Sequence, residues 1–104
     1  MDEETHKKIH ELQELEHSIQ SLLMQKQNLQ IELSEVSNAL SEVEATSEDV
    51  YKLISGMLIK SEKSKVLKEL TDRKKTSELR ISSIEKNEKS IVDRIEKLRK
   101  EVQT

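Results

Sequence analysis

From Leu12 onward, aliphatic residues return with a seven-residue rhythm that only a helix can satisfy. Placing heptad position a at Leu12, Ile19, Lys26, Leu33 and Leu40 puts d at Leu15, Leu22, Leu29, Val36 and Val43, so nine of the ten seam positions are aliphatic. A second frame begins at Leu67. There a falls on Leu67, Lys74, Ile81, Glu88, Ile95 and Val102, and d falls on Leu70, Ser77, Ile84, Ile91 and Leu98. Two such seams in one chain predict two long helices that bury their stripes against each other. Composition supports this. The 104 residues include no Pro and one Gly, 38% are charged, and the single aromatic is Tyr51. A chain so poor in aromatics can bury stripes but not a compact globular core.

The two frames also predict how the helices pair. In an antiparallel coiled coil, a residues of one helix share layers with d residues of the other. Here that rule joins Leu12 with Leu98, Leu15 with Ile95, Ile19 with Ile91, Leu29 with Ile81, Leu40 with Leu70 and Val43 with Leu67. Four layers are mixed: Leu22 with Glu88, Lys26 with Ile84, Leu33 with Ser77, and Val36 with Lys74. None is polar on both sides. Their Lys and Glu side chains are expected to snorkel to water, or to hold the register, because a slipped pairing can bury two polar groups in one layer. The midpoint of the pairing is residue 55, and the only Gly stands there, in Ser55-Gly56. Charge agrees with folding back. Residues 1–50 carry twelve acids and three Lys, whereas residues 51–104 carry nine acids and fifteen Lys or Arg. Glu32 and Arg80 are candidates to pair across the seam. The expected helices are 3–45 and 63–103, each about 60 Å long, with Ser61 as N-cap and Glu62 as first-turn acid of the second, and Thr46-Ser47-Glu48-Asp49 ending the first.

Between them, Val50-Tyr51-Lys52-Leu53-Ile54-Ser55-Gly56-Met57-Leu58-Ile59-Lys60 is longer and more apolar than a helix connection requires. Two β-prone runs around Ser-Gly predict a tight hairpin over residues 50–60. Val50 and Ile54 fall on one face and Tyr51 and Leu53 on the other, with Met57, Leu58 and Ile59 continuing both. An isolated two-stranded ribbon is marginal in water, and one apolar on both faces calls for cover from other subunits.

These residues resemble the prefoldin beta-type subunit family, in its archaeal form, over nearly the whole chain. The likeness rests on Gln25-Lys26-Gln27, on Ala39-Leu40-Ser41-Glu42-Val43-Glu44, and above all on Tyr51 to Lys60, which is similar to the family's Tyr-Lys-x-Val-Gly-x-x-Leu-Val-Lys hairpin signature. The family's usual Gly falls on Ser55, with Gly56 one place later, so the turn type is open. A single hairpin favours the beta type over the alpha type. The resemblance implies one prefoldin-like domain over residues 1–104, mostly α, whose β-hairpin contributes to an inter-subunit β-barrel. It implies an ATP-independent co-chaperone, without cofactor, in a heterohexamer of two alpha-type and four beta-type subunits. Such an assembly holds unfolded client proteins at its coiled-coil tips and delivers them to a group II chaperonin in the cytoplasm. The implied assembly residues are Val50, Tyr51, Leu53, Ile54, Met57, Leu58 and Ile59; the implied client-binding tips are Ile9, Leu12, Leu15, Ile95, Leu98 and Val102. An alternative from the residues alone is a structural coiled-coil tether or adaptor docking through its hairpin.

Other function classes find little support. A net charge of −3, with no aromatic interleaved among Lys60, Lys63, Lys65, Lys68 and Arg73-Lys74-Lys75, argues against nucleic acid as a partner. That basic group reads instead as a solvated face complementing the acidic first helix. No stretch is long and apolar enough for a membrane span, and the acidic start excludes a secretory signal. No Cys is present, in keeping with a reducing compartment. His6, His10 and His17 fall on the outer face, with no third ligand at metal spacing. Met24, Ile31 and Leu79 take outer f positions and are expected to be exposed. No nucleophile with a base, no phosphate loop and no pocketed carboxylate pair can be assembled, so no catalysis and no metal are expected.

Overall fold

In the computed structural model, which describes residues 2–103, the order is α1 (Glu3–Ala45), β1 (Val50–Ile54), β2 (Met57–Ser61) and α2 (Lys63–Gln103). Backbone contacts divide these into two units: one built from residues up to Asn28 with those from Ile81 onward, the other from Leu29–Arg80.

In the first unit, α1 opens on a cap absent from the sequence reading. The Thr5 amide donates to the Asp2 carboxylate at 2.8 Å, and Glu3 and Glu4 place two more acids in the first turn. This satisfies an orphan N–H and sets negative charge at the positive end of the helix dipole. The hydrogen bond to Thr5 holds the Asp2 carboxyl below its ordinary range. Facing segments run antiparallel, as the cross-helix ion pairs show: Lys8 with Glu101 (3.4 Å), Glu16 with Arg99 (2.8 Å) and Glu11 with Arg94 (3.0 Å). Glu11 and Arg94 both precede an a position, and Glu16 and Arg99 both follow a d position. Those like-with-like flanking pairs are the partners that the antiparallel layers demand. Beneath them Ile95 and Leu98 are buried, Leu98 completely, while Leu12, Leu15, Ile19, Leu22 and Ile91 are half-buried.

The second unit holds the hairpin and the adjoining helical segments. Leu29, Leu33, Leu40, Val43, Leu67 and Leu70 are half-buried, and Val36, Val66 and Ser77 are buried. Glu32 pairs with Arg73 at 3.6 Å rather than with Arg80. Both precede an a position, whereas Arg80 lies one heptad too far along α2 to face Glu32 in this register. Helix α1 stops after Ala45; Thr46 donates its amide to the Glu42 carbonyl and accepts one from Glu48 at its hydroxyl. The last turn of α1 has no basic residue of its own. Lys63 of α2 supplies the charge, its ammonium donating to the Glu44 and Thr46 carbonyls at 3.2 and 2.8 Å. This caps open carbonyls and sits at the negative end of the dipole.

The start of α2 corrects the expected cap. Ser61 is still strand, paired with Val50, and its hydroxyl donates to the Ile59 carbonyl. Held in the ladder, it cannot turn to the helix. The residue before Lys63 is therefore Glu62, whose carbonyl accepts from the Val66 amide, and the first turn of α2 contains no acid.

Candidate assembly hairpin and terminal seam

The hairpin is antiparallel with Ile54 opposite Met57, so only Ser55 and Gly56 form the loop. Both have positive φ, 49° and 80°. Two left-handed residues in a two-residue loop make a type I′ turn, whose twist matches that of the flanking strands. This settles the turn: Ser55 takes a conformation that costs a residue with a Cβ, and Gly56 takes its own without that cost.

The register sorts the side chains. Val50, Lys52, Ile54, Met57, Ile59 and Ser61 share one face; Tyr51, Leu53, Leu58 and Lys60 share the other. The first face is partly covered at its root. Val50, Lys52 and Ser61 are half-buried, Val66 is buried, and the Lys52 ammonium reaches Glu69 of α2 at 2.7 Å. A groove of about 340 Å³ runs beside it, lined by Lys52, Lys60, Ser61, Glu62, Lys65, Val66 and Glu69. The second face has no such cover: Leu53 is 70% and Leu58 72% exposed, with Tyr51 also exposed. Ile54 and Met57 at the far end of the first face, and Ile59 opposite Lys52, are exposed. Of the assembly residues inferred from sequence, only Val50 is even half-covered.

The residues inferred as tips behave oppositely. Ile9, Leu12, Leu15 and Val102 are half-buried, and Ile95 and Leu98 are buried. The seam is closed in this structure, and these aliphatics become accessible only if the terminal layers part. The polar seam residues of this unit have a partner that the sequence reading did not assign. Lys26 donates to Glu88 at 2.7 Å, so the neighbouring mixed layers neutralise each other instead of snorkelling apart. That hydrogen bond raises the Lys26 ammonium above its ordinary range, and the bond to Glu11 does the same for Arg94. Spacing could have revealed the Lys26–Glu88 pair, since both take a positions in adjacent layers. Val66, which seals the hairpin root, precedes an a position and carries no seam signal.

The remaining candidates resolve simply. His10 lies 3.0 Å from Glu14, His6 and His17 are exposed, and among the described residues no group of three or more His, Cys, Asp or Glu is arranged to hold a metal ion. The basic group is largely engaged: Lys60 with Asp49, Lys65 with Glu62, Arg73 with Glu32, and Lys63 on the carbonyls of α1. Met24, Ile31 and Leu79 are exposed as expected. No helix among the described residues is long and apolar enough to cross a membrane.

Comparison with known proteins agrees with this architecture. The chain is 32% identical over 96 residues to the prefoldin subunit beta of Thermococcus onnurineus, covering 90% of this chain and 83% of that protein. It is 37% identical over 86 residues to the prefoldin subunit beta of Pyrobaculum neutrophilum, covering 81% and 68%. The crystal structure of the prefoldin beta subunit from Thermococcus strain KS-1 superposes with a TM-score of 0.90 at 28% identity, covering 98% of this chain and 91% of that one. The beta2 subunit from the same strain, at 19% identity and a TM-score of 0.74, shares the fold. The family model described as prefoldin subunit matches residues 6–104, and the chain belongs to that family.

Proposed function

We propose that this chain is a beta-type subunit of an ATP-independent co-chaperone, assembled through its hairpin and holding non-native proteins at the open ends of its helices. The observation that carries the reading is the hairpin itself, apolar on both faces, with one face open and the other covered only at its root. Water-exposed Leu53, Leu58, Ile54 and Met57 on adjacent strands form a patch that a monomer has no reason to keep. The strand edges add unpaired backbone groups suited to joining further strands. Closing such ribbons into an inter-subunit barrel removes both liabilities at once.

The partners are then an alpha-type subunit and further beta-type copies, two alpha to four beta, with unfolded clients and a group II chaperonin acting in the cytoplasm. Client holding draws on the terminal seam. Helix ends open at low free energy, and opening uncovers Ile9, Leu12, Leu15, Ile95, Leu98 and Val102. Each contact is weak, but several arms engaging one client multiply it.

The test has two arms. Mixing the chain with an alpha-type subunit and weighing the product by native mass spectrometry should give a 2:4 complex; a plain dimer overturns the assembly reading. In that complex, Ile9→Ser with Val102→Ser should weaken suppression of client aggregation without changing the mass. A disulfide between Leu12→Cys and Leu98→Cys should do the same reversibly, by clamping the end shut. Unaltered suppression in both variants overturns the tip assignment.

A further inference from the structure

Among the ion pairs of the described residues, Lys26–Glu88 is the most enclosed, its side chains 19% and 17% exposed, and it lies in the seam itself. A partly buried ion pair is weak evidence for stability, because desolvation offsets the attraction. Its presence needs another reason, and the heptad pattern of α1 provides one.

Helix α1 is nearly self-complementary. Laid antiparallel on the α1 of a second copy, the same a-with-d rule joins Leu12 with Val43, Leu15 with Leu40, Ile19 with Val36 and Leu22 with Leu33. Only the central layers, Lys26 with Leu29, are mixed. On aliphatic content alone, α1 matches another α1 better than it matches its own α2, whose seam carries Lys74, Ser77 and Glu88. Lys26 reverses that preference. In the chain's own pairing its ammonium meets Glu88 at 2.7 Å. In an α1–α1 pairing, the two Lys26 side chains occupy neighbouring layers at the centre, and α1 has no acid at any seam position between Leu12 and Val43.

We propose that Lys26 and Glu88 are partner-selecting residues that direct each α1 onto its own α2 and against the α1 of a second copy. A single polar seam position is known to set partner and register at some expense in stability. Two chains paired α1 on α1 carry their hairpins at opposite ends, an arrangement that competes with gathering the hairpins in the proposed assembly.

The test uses the absence of Cys from the chain. Full-length chain with Ile19→Cys is refolded together with full-length chain carrying Val36→Cys, then oxidised. The mixed disulfide, identified by mass, reports α1 lying antiparallel on α1, whatever the hairpins do. With Lys26 and Glu88 in place it should be scarce. In the Lys26→Leu/Glu88→Leu background it should rise roughly tenfold or more, the ratio that 1.4 kcal/mol of relative preference confers. The reversed pair, Lys26→Glu/Glu88→Lys, should keep it scarce, since two carboxylates in the central layers repel as two ammonium groups do. Circular dichroism checks that every variant is helical. An unchanged yield in the double-Leu background overturns the proposal, as does a reversed pair that cross-links as readily as double Leu.

Discussion

The hairpin and the terminal seam are both built from aliphatic residues, yet the chain treats them in opposite ways. At the seam, Leu98 is completely buried and flanked by Glu16–Arg99 and Glu11–Arg94, so the apolar stripe is sealed and roofed by charge. In the hairpin, Leu53 and Leu58 lie opposite each other with their side chains 70% and 72% exposed to water. The physical difference is one of partners. A heptad stripe finds its complement within the same chain, whereas a two-stranded ribbon cannot cover both of its own faces. One region is therefore covered within the single chain, and the other is left largely open by it.

The contrast is most directly broken at the hairpin. Leu53→Ser with Leu58→Ser should abolish assembly, weakening subunit association at least about a hundredfold by the energetics of central interface anchors. The melting temperature of the unassembled chain should barely move, since exposed positions shift stability by roughly 0.5 kcal/mol or less. Native mass spectrometry and thermal circular dichroism read the two halves of that expectation. The reverse pattern belongs to the seam. Leu98→Ala should lower chain stability by about 2–5 kcal/mol, the range for truncating a buried leucine, while leaving the mass of the assembly at low temperature unchanged.

Smaller effects sharpen the same comparison. Ser55→Gly should stabilise the hairpin by about 0.5–1 kcal/mol, relieving the left-handed conformation net of the greater freedom of glycine when unfolded. It should appear as slower amide exchange in β1 and β2 with the helices unaffected. The smallest expected effect is on pH dependence, and it arises at Lys26 and Asp2 in the first unit. The Lys26 ammonium is held above its ordinary range by Glu88, so its contribution is complete below about pH 10.4 and fades as pH rises through the elevated value. Asp2, held low by Thr5, contributes above about pH 3.9 and loses its contribution as pH falls through the lowered value. Lys26→Met should remove the alkaline loss, and Asp2→Asn the acid one, in melts followed across pH.

Much of this was legible in the sequence. Every a and d residue from Leu12 to Val43 and from Leu67 to Val102 is at least half-covered, while Met24, Ile31 and Leu79 at f are exposed. Heptad spacing decides this, because a helix has only one phase in which its aliphatics form a stripe. The Ser55-Gly56 turn was placed by the same geometry, and the apolar connector by its excess over what a loop needs. Less visible were the interactions made by flexible or locally ambiguous groups. Ser61 has the chemistry of a cap but stays in the ladder, and Glu32 had two arginines within sequence reach.

By itself, then, the sequence determined where the helices lie, which stripe each buries and where the chain reverses. These follow from periodicity, and periodicity is a local property of the string. Tertiary structure decided which charges meet: Arg73 for Glu32, Glu88 for Lys26, and Lys63 for the last carbonyls of α1. It also decided that the root of the hairpin is covered while its second face is left open. Those outcomes depend on distances across the fold, where a long side chain has several partners within reach and only the packed backbone selects one.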